Sequence, residues 1–296
     1  MKRAVWLRAG GLVLLGVAVL IGLTVYFSSE KVPPCLVSGA PAWRAPTDGG
    51  THRYEVVFPD RAACFFAIDD QQKLVGALRL PPAKGISSAA PFHDDAALRT
   101  ESGVFTLNLH TGGLRRGGLA PFPDNTLTVK DEQRGVMYVT RRGLLGFRVL
   151  DLRTAGELYE VGFKGFTWNP RFGPNPPSHG LSLAPDRPEL WVLDAPNSTV
   201  HVFDVSGLPA EAPRRVEDIR LSKPLSGDEN PCSSACARIG SLQHSSDGRF
   251  VYVGDAGDVI DTNSRRTVAN LEALHNSRVH LEVDWVDGRP VFPYRR

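Results

Sequence analysis

The chain has 296 residues, 42% of them hydrophobic and 22% charged, with 34 Lys and Arg against 32 Asp and Glu. That is enough chain for a sizeable buried core, and a net charge of +2 with both signs interspersed gives no basis for nucleic-acid binding or an acidic partner. Two Met beside 29 Gly and 23 Pro suit strands and turns rather than a helical bundle.

The chain opens with Lys2, Arg3 and Arg8, followed by an apolar run from Ala9 to Phe27. As a helix this run spans about 28 Å, enough for a bilayer core. It predicts a membrane anchor or signal segment over 1–29, with the basic flank inside and the remainder outside the cytoplasm. Cleavage near Phe27-Ser28-Ser29 would instead leave a secreted or periplasmic chain. Residues 30–50 read as a linker with one strand near Ala42-Trp43, and residues 51–296 as a single β domain.

Four cysteines in an exported chain predict two disulfides. Of the three connectivities, Cys35–Cys64 with Cys232–Cys236 is the expected one: the second closes a small loop and the first ties the linker to the domain. A half metal site from Cys232-x3-Cys236 and His244 is set aside, because exported paired cysteines oxidise.

Strands are predicted at Tyr54–Phe58, Cys64–Asp69 and Lys73–Leu80, then at Ala96–Thr100 and Gly103–Asn108 with a weak third near Leu114–Leu119. A four-stranded unit follows at Thr126–Lys130, Val136–Thr140, Gly146–Asp151 and Glu157–Val161. Two more units run from Leu181 to Leu221 and from Ser241 to Leu271, and a last pair covers Val279–Trp285 and Pro290–Tyr294.

One phrase recurs through this order: an apolar pair, then Asp or Asn, then a turn. The copies end at Asp69, Asn108, Asp151, Asp204 and Asp261, spaced by 39, 43, 53 and 57 residues. Self-similarity at about 40–50 residues with four short strands per period marks propeller blades. The prediction is an all-β fold: a β-propeller of about six four-stranded blades, seven if residues 30–50 hold more, preceded by one N-terminal transmembrane or signal helix. Ring closure would need an N-terminal strand to complete the final pair.

Several phrases resemble the YVTN-repeat β-propeller family: Met137-Tyr138-Val139-Thr140, Val251-Tyr252-Val253-Gly254-Asp255 and Asp258-Val259-Ile260-Asp261-Thr262. The segment from Pro177-Ser178-His179-Gly180 to Val202-Phe203-Asp204 is similar to an exported bacterial subgroup. The resemblance covers residues 125–285 well and 50–125 weakly. It implies the fold and leaves the function open, because the repeat itself is structural.

No GxSxG, HExxH, P-loop or strand-to-helix GxGxxG is present, so no catalytic residue and no cofactor is predicted. The Asp of each repeat stands at one strand position, which reads as a turn former accepting backbone N–H groups rather than a carboxylate cluster. By register His244 is a core position, His201 and His110 fall on outer strands at the surface, and His93 lies in a turn. The two long intervals place insertions at Gly165–Ser178 and Ser222–Ile239, both between one blade's outermost strand and the next blade's innermost strand. Insertions confined to one face mark a binding face in repeat folds. The candidate binding residues are therefore Trp168, Asn169, Arg171, Phe172, His179 and Arg238, with His52 and Asn125 at corresponding channel-mouth places. The expected function is an extracytoplasmic binding or scaffold module for a protein or small molecule. The alternative is a lactonase-like hydrolase with a channel metal, for which His52, His179 and His280 are the candidate ligands.

Overall fold

Alternating apolar and polar residues form strands throughout a computed structural model that describes residues 39–59, 63–80, 85–117, 128–168, 176–225 and 240–293. Four-stranded antiparallel meanders follow chain order. They are β4 (Ser88–Phe92), β5 (Asp95–Thr100), β6 (Gly103–Leu107) and β7 (Leu114–Arg116); then β8 (Thr128–Asp131), β9 (Val136–Val139), β10 (Gly146–Asp151) and β11 (Glu157–Gly162). Next come β12 (Ser178–Leu183), β13 (Glu189–Asp194), β14 (Thr199–Asp204) and β15 (Arg214–Arg220). The last is β16 (Leu242–His244), β17 (Phe250–Val253), β18 (Asp258–Asp261) and β19 (Arg266–Asn270).

The final pair does not begin a sixth unit. β20 (Ser277–Val286) and β21 (Arg289–Val291) join β1 (Thr51–Pro59), β2 (Cys64–Asp69) and β3 (Leu74–Arg79) in one sheet ordered β21-β20-β1-β2-β3. The described residues therefore make five sheets, where about six blades were expected. The reason is pairing: β20 runs antiparallel to β1 from Thr51 opposite Val286 to Pro59 opposite Ser277. Left apart, a two-stranded remainder would be marginal and would expose an edge. The expected N-terminal closure thus holds, and it merges two predicted units into one.

Neighbouring sheets touch where β20 lies on β4, β8 on β12, and β12 on β16. Apolar clusters fill four junctions between sheets. Val56, Phe58, Phe65 and Trp285 of the closing sheet pack with Leu98, Phe105 and Leu107. Its other face, through Val57, Phe66 and Ile68, meets Phe250, Tyr252 and Val259. Phe147, Leu190 and Phe203 fill the junction of the β8–β11 and β12–β15 sheets, and Trp191, Val202, Val251 and Ile260 the next. Antiparallel meanders stacked face to face, with the two ends of the domain sharing one sheet, are the arrangement of a β-propeller.

Residues 39–50 belong to this same unit. Trp43 N donates to Ala77 O at 2.9 Å and Ala77 N to Pro41 O at 2.9 Å, so the Ala42–Ala77 bridge covers the outer edge of β3. Trp43 packs so closely on that edge that a Cβ at Gly76 would sit 2.7 Å from its ring. Among the described residues no helix is long and apolar enough to cross a membrane.

Each repeat Asp or Asn caps the turn after the third strand of its sheet. Asp69 Oδ1 accepts Gln71 N (3.0 Å) and Lys73 N (2.8 Å), and Asn108 Oδ1 accepts Thr111 N (2.8 Å). Asp151 Oδ1 accepts Thr154 N (2.7 Å), Asp204 Oδ1 accepts Ser206 N (2.9 Å), and Asp261 Oδ1 accepts Ser264 N (2.7 Å). These are turn formers, as the periodicity implied.

Two local readings change. β4 was not predicted, because Ser88-Ala89-Ala90-Pro91-Phe92 lacks the β-branched pattern that marks a strand. His201, expected at the surface, is fully buried. It stands on β14, the third strand, which β15 covers, and its two nitrogens face Asp218 (2.7 Å) and Asp194 (3.2 Å). His244 is buried as expected, with Nδ1 2.8 Å from Ser182 Oγ, and His110 is exposed.

Candidate functional site

Strand periodicity places Thr51, Arg53 and Glu55 on one face of β1, with Asp284 and Glu282 directly opposite Arg53 and Glu55 on β20. That face looks toward the β16–β19 sheet. Further along, at Val57, the junction is apolar; at Arg53 and Glu55 it becomes a charged cleft of about 220 Å³. Asp69 and Asp70 from the β2–β3 turn, Ser245, Asp247 and Arg249 from the β16–β17 turn, and Phe250 and Tyr252 complete its walls.

Arg53 organises the cleft. Its Nε donates to Asp284 Oδ1 at 2.8 Å and lies 3.1 Å from Glu282 Oε1, while Nη1 reaches Asp247 Oδ2 at 2.8 Å. The bond to Asp284, against the opposing effect of burial, holds the guanidinium firmly protonated. Asp247 is held in place by its own turn, where Oδ1 accepts Ser245 Oγ (2.7 Å) and Arg249 N (3.0 Å). Burial pushes the Asp247 carboxyl up, but those donors and Arg53 outweigh it and keep the group below the ordinary carboxylate value.

Glu282 is almost completely buried and accepts Ser246 N at 2.6 Å and Ser246 Oγ at 2.7 Å. Burial, and then the Glu55 carboxyl, push it up to about 7. Behind this pair His280 Nδ1 lies 3.1 Å from Glu55 Oε1. Burial, and then Arg278, push His280 down to about 3, so its imidazole is neutral. Burial, followed by Glu55, holds the Tyr252 phenol above its usual range. Gly254 sits where a Cβ would run into Ser277 O and His280 Nε2, so this seam tolerates no side chain there.

Two rim charges stay open. Among the described residues neither Asp70 nor the Arg249 guanidinium forms an ion pair, and Arg249 lies over the Phe250 ring at 4.9 Å. The cleft thus offers a carboxylate and a guanidinium to a small ligand, above a wall whose protonation is finely poised.

Of the residues expected to bind, His52, Trp168 and His179 lie among the described residues. In a four-stranded meander the first and third turns share one end, and the second turn shares the other with the connection to the next sheet. The cleft is built from β2–β3 and β16–β17 turns, at the end opposite the two insertions. His52 lies near this end, half-exposed, 3.2 Å from Asp48 Oδ2 and stacked on Tyr54 at 6.4 Å. His280 is five positions further along the β1–β20 pair, since His52 stands opposite Trp285 and Val57 opposite His280. That is about 17 Å of strand, so the two do not converge on one metal. Among the described residues no three His, Cys, Asp or Glu are grouped to hold one.

Trp168 is half-buried at the other end, where it lines an open apolar cavity of about 550 Å³ with Leu145, Phe163 and Phe166. His179 lies on β12. Asn125, Asn169, Arg171, Phe172, Arg238, Cys35, Cys232, Cys236 and the 1–29 segment lie outside the described residues. Cys64 is buried at the start of β2.

Sequence reasoning missed Arg53, Glu55, Asp247 and Glu282. One signal was available: charged residues two apart, Arg53 and Glu55 on one strand and Glu282 and Asp284 on another, each set within otherwise apolar text.

No family model matches the chain, and no curated protein matches it. Among solved structures it is similar to apo AztD from Citrobacter koseri, at 16% identity and a TM-score of 0.36, over 78% of this chain and 60% of that one. It is similar to the dihydro-heme d1 dehydrogenase NirN in complex with DHE, at 17% identity and TM-score 0.33, over 81% of this chain and 47% of that one. The β-propeller domain of Cps50 (Swd1) from Myceliophteria thermophila aligns at 16% identity and TM-score 0.31, over 63% and 55%. The chain spans about half to two thirds of the length of these structures. At such scores they carry no argument of their own, and the propeller fold rests on the sheets described above.

Proposed function

We propose that the chain is an extracytoplasmic β-propeller binding module of the YVTN-repeat kind, attached or exported through residues 1–29, that takes a small zwitterion in the Arg53–Glu282 cleft. One observation carries the reading: the rim presents Asp70 and Arg249 outside any ion pair among the described residues, above a polar wall already fixed by Arg53. An ammonium group suits the first and a carboxylate suits the second, the latter through the two-pronged geometry of guanidinium. The volume suits a ligand of amino-acid size.

A panel of free amino acids, screened by thermal shift, tests this. A binder should raise the melting temperature, and its affinity should fall at least tenfold in Arg249→Ala and in Asp70→Asn while Trp168→Ala leaves it unchanged. Binding that survives both cleft variants and vanishes in Trp168→Ala would move the site to the opposite end. That second reading draws on the open apolar cavity beside Trp168, with Asn169, Arg171, Phe172, His179 and Arg238 as its further candidates.

A further inference from the structure

The charges of the Arg53–Glu282 cleft do not balance. Five carboxylates stand in it or directly behind Arg53, those of Asp69, Asp70, Asp247, Glu282 and Asp284, against the two guanidiniums of Arg53 and Arg249. Even without Glu55, which faces His280 Nδ1 at 3.1 Å, the excess is three negative charges. It is two when Glu282, pushed up to about 7 by burial and then by Glu55, holds its proton. Lys73 does not offset it: its ammonium reaches Gln71 Oε1 at 3.4 Å, and it does not line the cleft.

Arg53 is already engaged, with Asp247 and Asp284 each at 2.8 Å and Glu282 at 3.1 Å. Outside that cluster the cleft presents Arg249 on the β16–β17 turn and two adjacent carboxylates, Asp69 and Asp70, on the β2–β3 turn. Asp69 Oδ1 is taken by Gln71 N and Lys73 N, while its Oδ2 accepts no hydrogen bond among the described residues. A neutral zwitterion brings one charge of each sign and leaves the excess as it was. A ligand with a second cation removes part of it, and a recess lined mainly by one sign of charge concentrates ligands of the other. Phe250 and Tyr252, both largely buried, add a wall along which a methylene stem can lie.

We propose, resting on the zwitterion reading, that the cleft selects a basic amino acid, whose carboxylate meets Arg249 and whose two cations are shared among Asp69, Asp70 and Asp247. Neutral amino acids leave the excess unanswered and acidic ones add to it. The carboxylates that attract one class therefore repel another.

Isothermal titration of the full chain in mild detergent, with EDTA present to remove divalent cations, tests the selection. L-lysine or L-arginine should bind at least about tenfold more tightly than L-leucine, and L-glutamate should not bind. That advantage should shrink as salt rises from about 20 mM to about 500 mM. Asp69→Asn removes a charge and keeps the turn, since Asn108 serves the same turn in the next sheet. It should cut the advantage of lysine over leucine severalfold, and an unchanged advantage overturns the proposal. Leucine or glutamate binding as tightly as lysine also overturns it, and leaves the zwitterion reading standing. Silence across the whole panel overturns both. So does 1,5-diaminopentane binding as tightly as lysine, because recognition would then involve no carboxylate. The panel and the salt series use the unmodified chain, so they decide the matter even where the variant does not fold.

Discussion

Glu282 and His280 lie two residues apart and respond to pH in opposite senses. Glu282 is raised from 4.5 to about 7, so its contribution to stability is complete below 4.5 and is lost as pH rises toward 7. His280 is lowered from 6.5 to about 3, so the folded state gains stability as pH rises from 3 to 6.5. Between pH 4.5 and 6.5 the two slopes cancel, and urea unfolding should find a nearly level stability. Glu282→Gln should turn that plateau into a rise of roughly 2–3 kcal/mol, and His280→Gln into a fall of similar size. Parallel profiles for the two variants would contradict the opposed titrations. None of this was legible in the sequence, where His280 reads as a channel-mouth residue and Glu282 as one charge among many. Burial by a strand 225 residues away determines both. His201 makes the same point: a position within a strand does not say which neighbour covers it.

At the scale of single elements the sequence is far more informative, because a turn's chemistry is local. The Asp that ends each third strand accepts amide N–H groups two to four residues on, so its role follows from spacing alone. Asp151 also accepts Thr154 Oγ1 at 2.8 Å, and that bond leads the set that holds its carboxyl below the ordinary range. Asp151→Ala should lower stability in denaturant unfolding. Asp261→Ala, in a different sheet, should cost a similar amount, and the double variant should show the sum within about 0.5 kcal/mol. A strongly non-additive result would mean that the sheets are not the independent units the repeat suggests. β4 escaped prediction for the converse reason: its small residues and Pro91 carry no strand pattern, and β5 supplies the pairing that makes it one.

For the molecule as a whole, the closing sheet is what the sequence left unread. Period and strand count pointed to a propeller, but that the last two strands belong with the first three is a fact of long-range pairing. The same pairing builds the cleft at the turn end, since it exists only where β1 and β20 meet β16 and β17. Removing residues 277–296 should abolish cooperative melting followed by near-ultraviolet circular dichroism, whereas removing 289–296 alone should lower the melting temperature and keep the transition sharp. A cooperative transition without β20 would show that the ring does not depend on its clasp. The clasp also sets an order of events. Arg53 and Asp284 are 231 residues apart, so a chain made from its N-terminus holds β1 with one edge unfilled through almost all of its synthesis. Contacts of such separation form slowly, and an unfilled edge invites pairing with another chain. The hazard for this protein is therefore one of waiting time, concentrated in the interval before its last strand arrives.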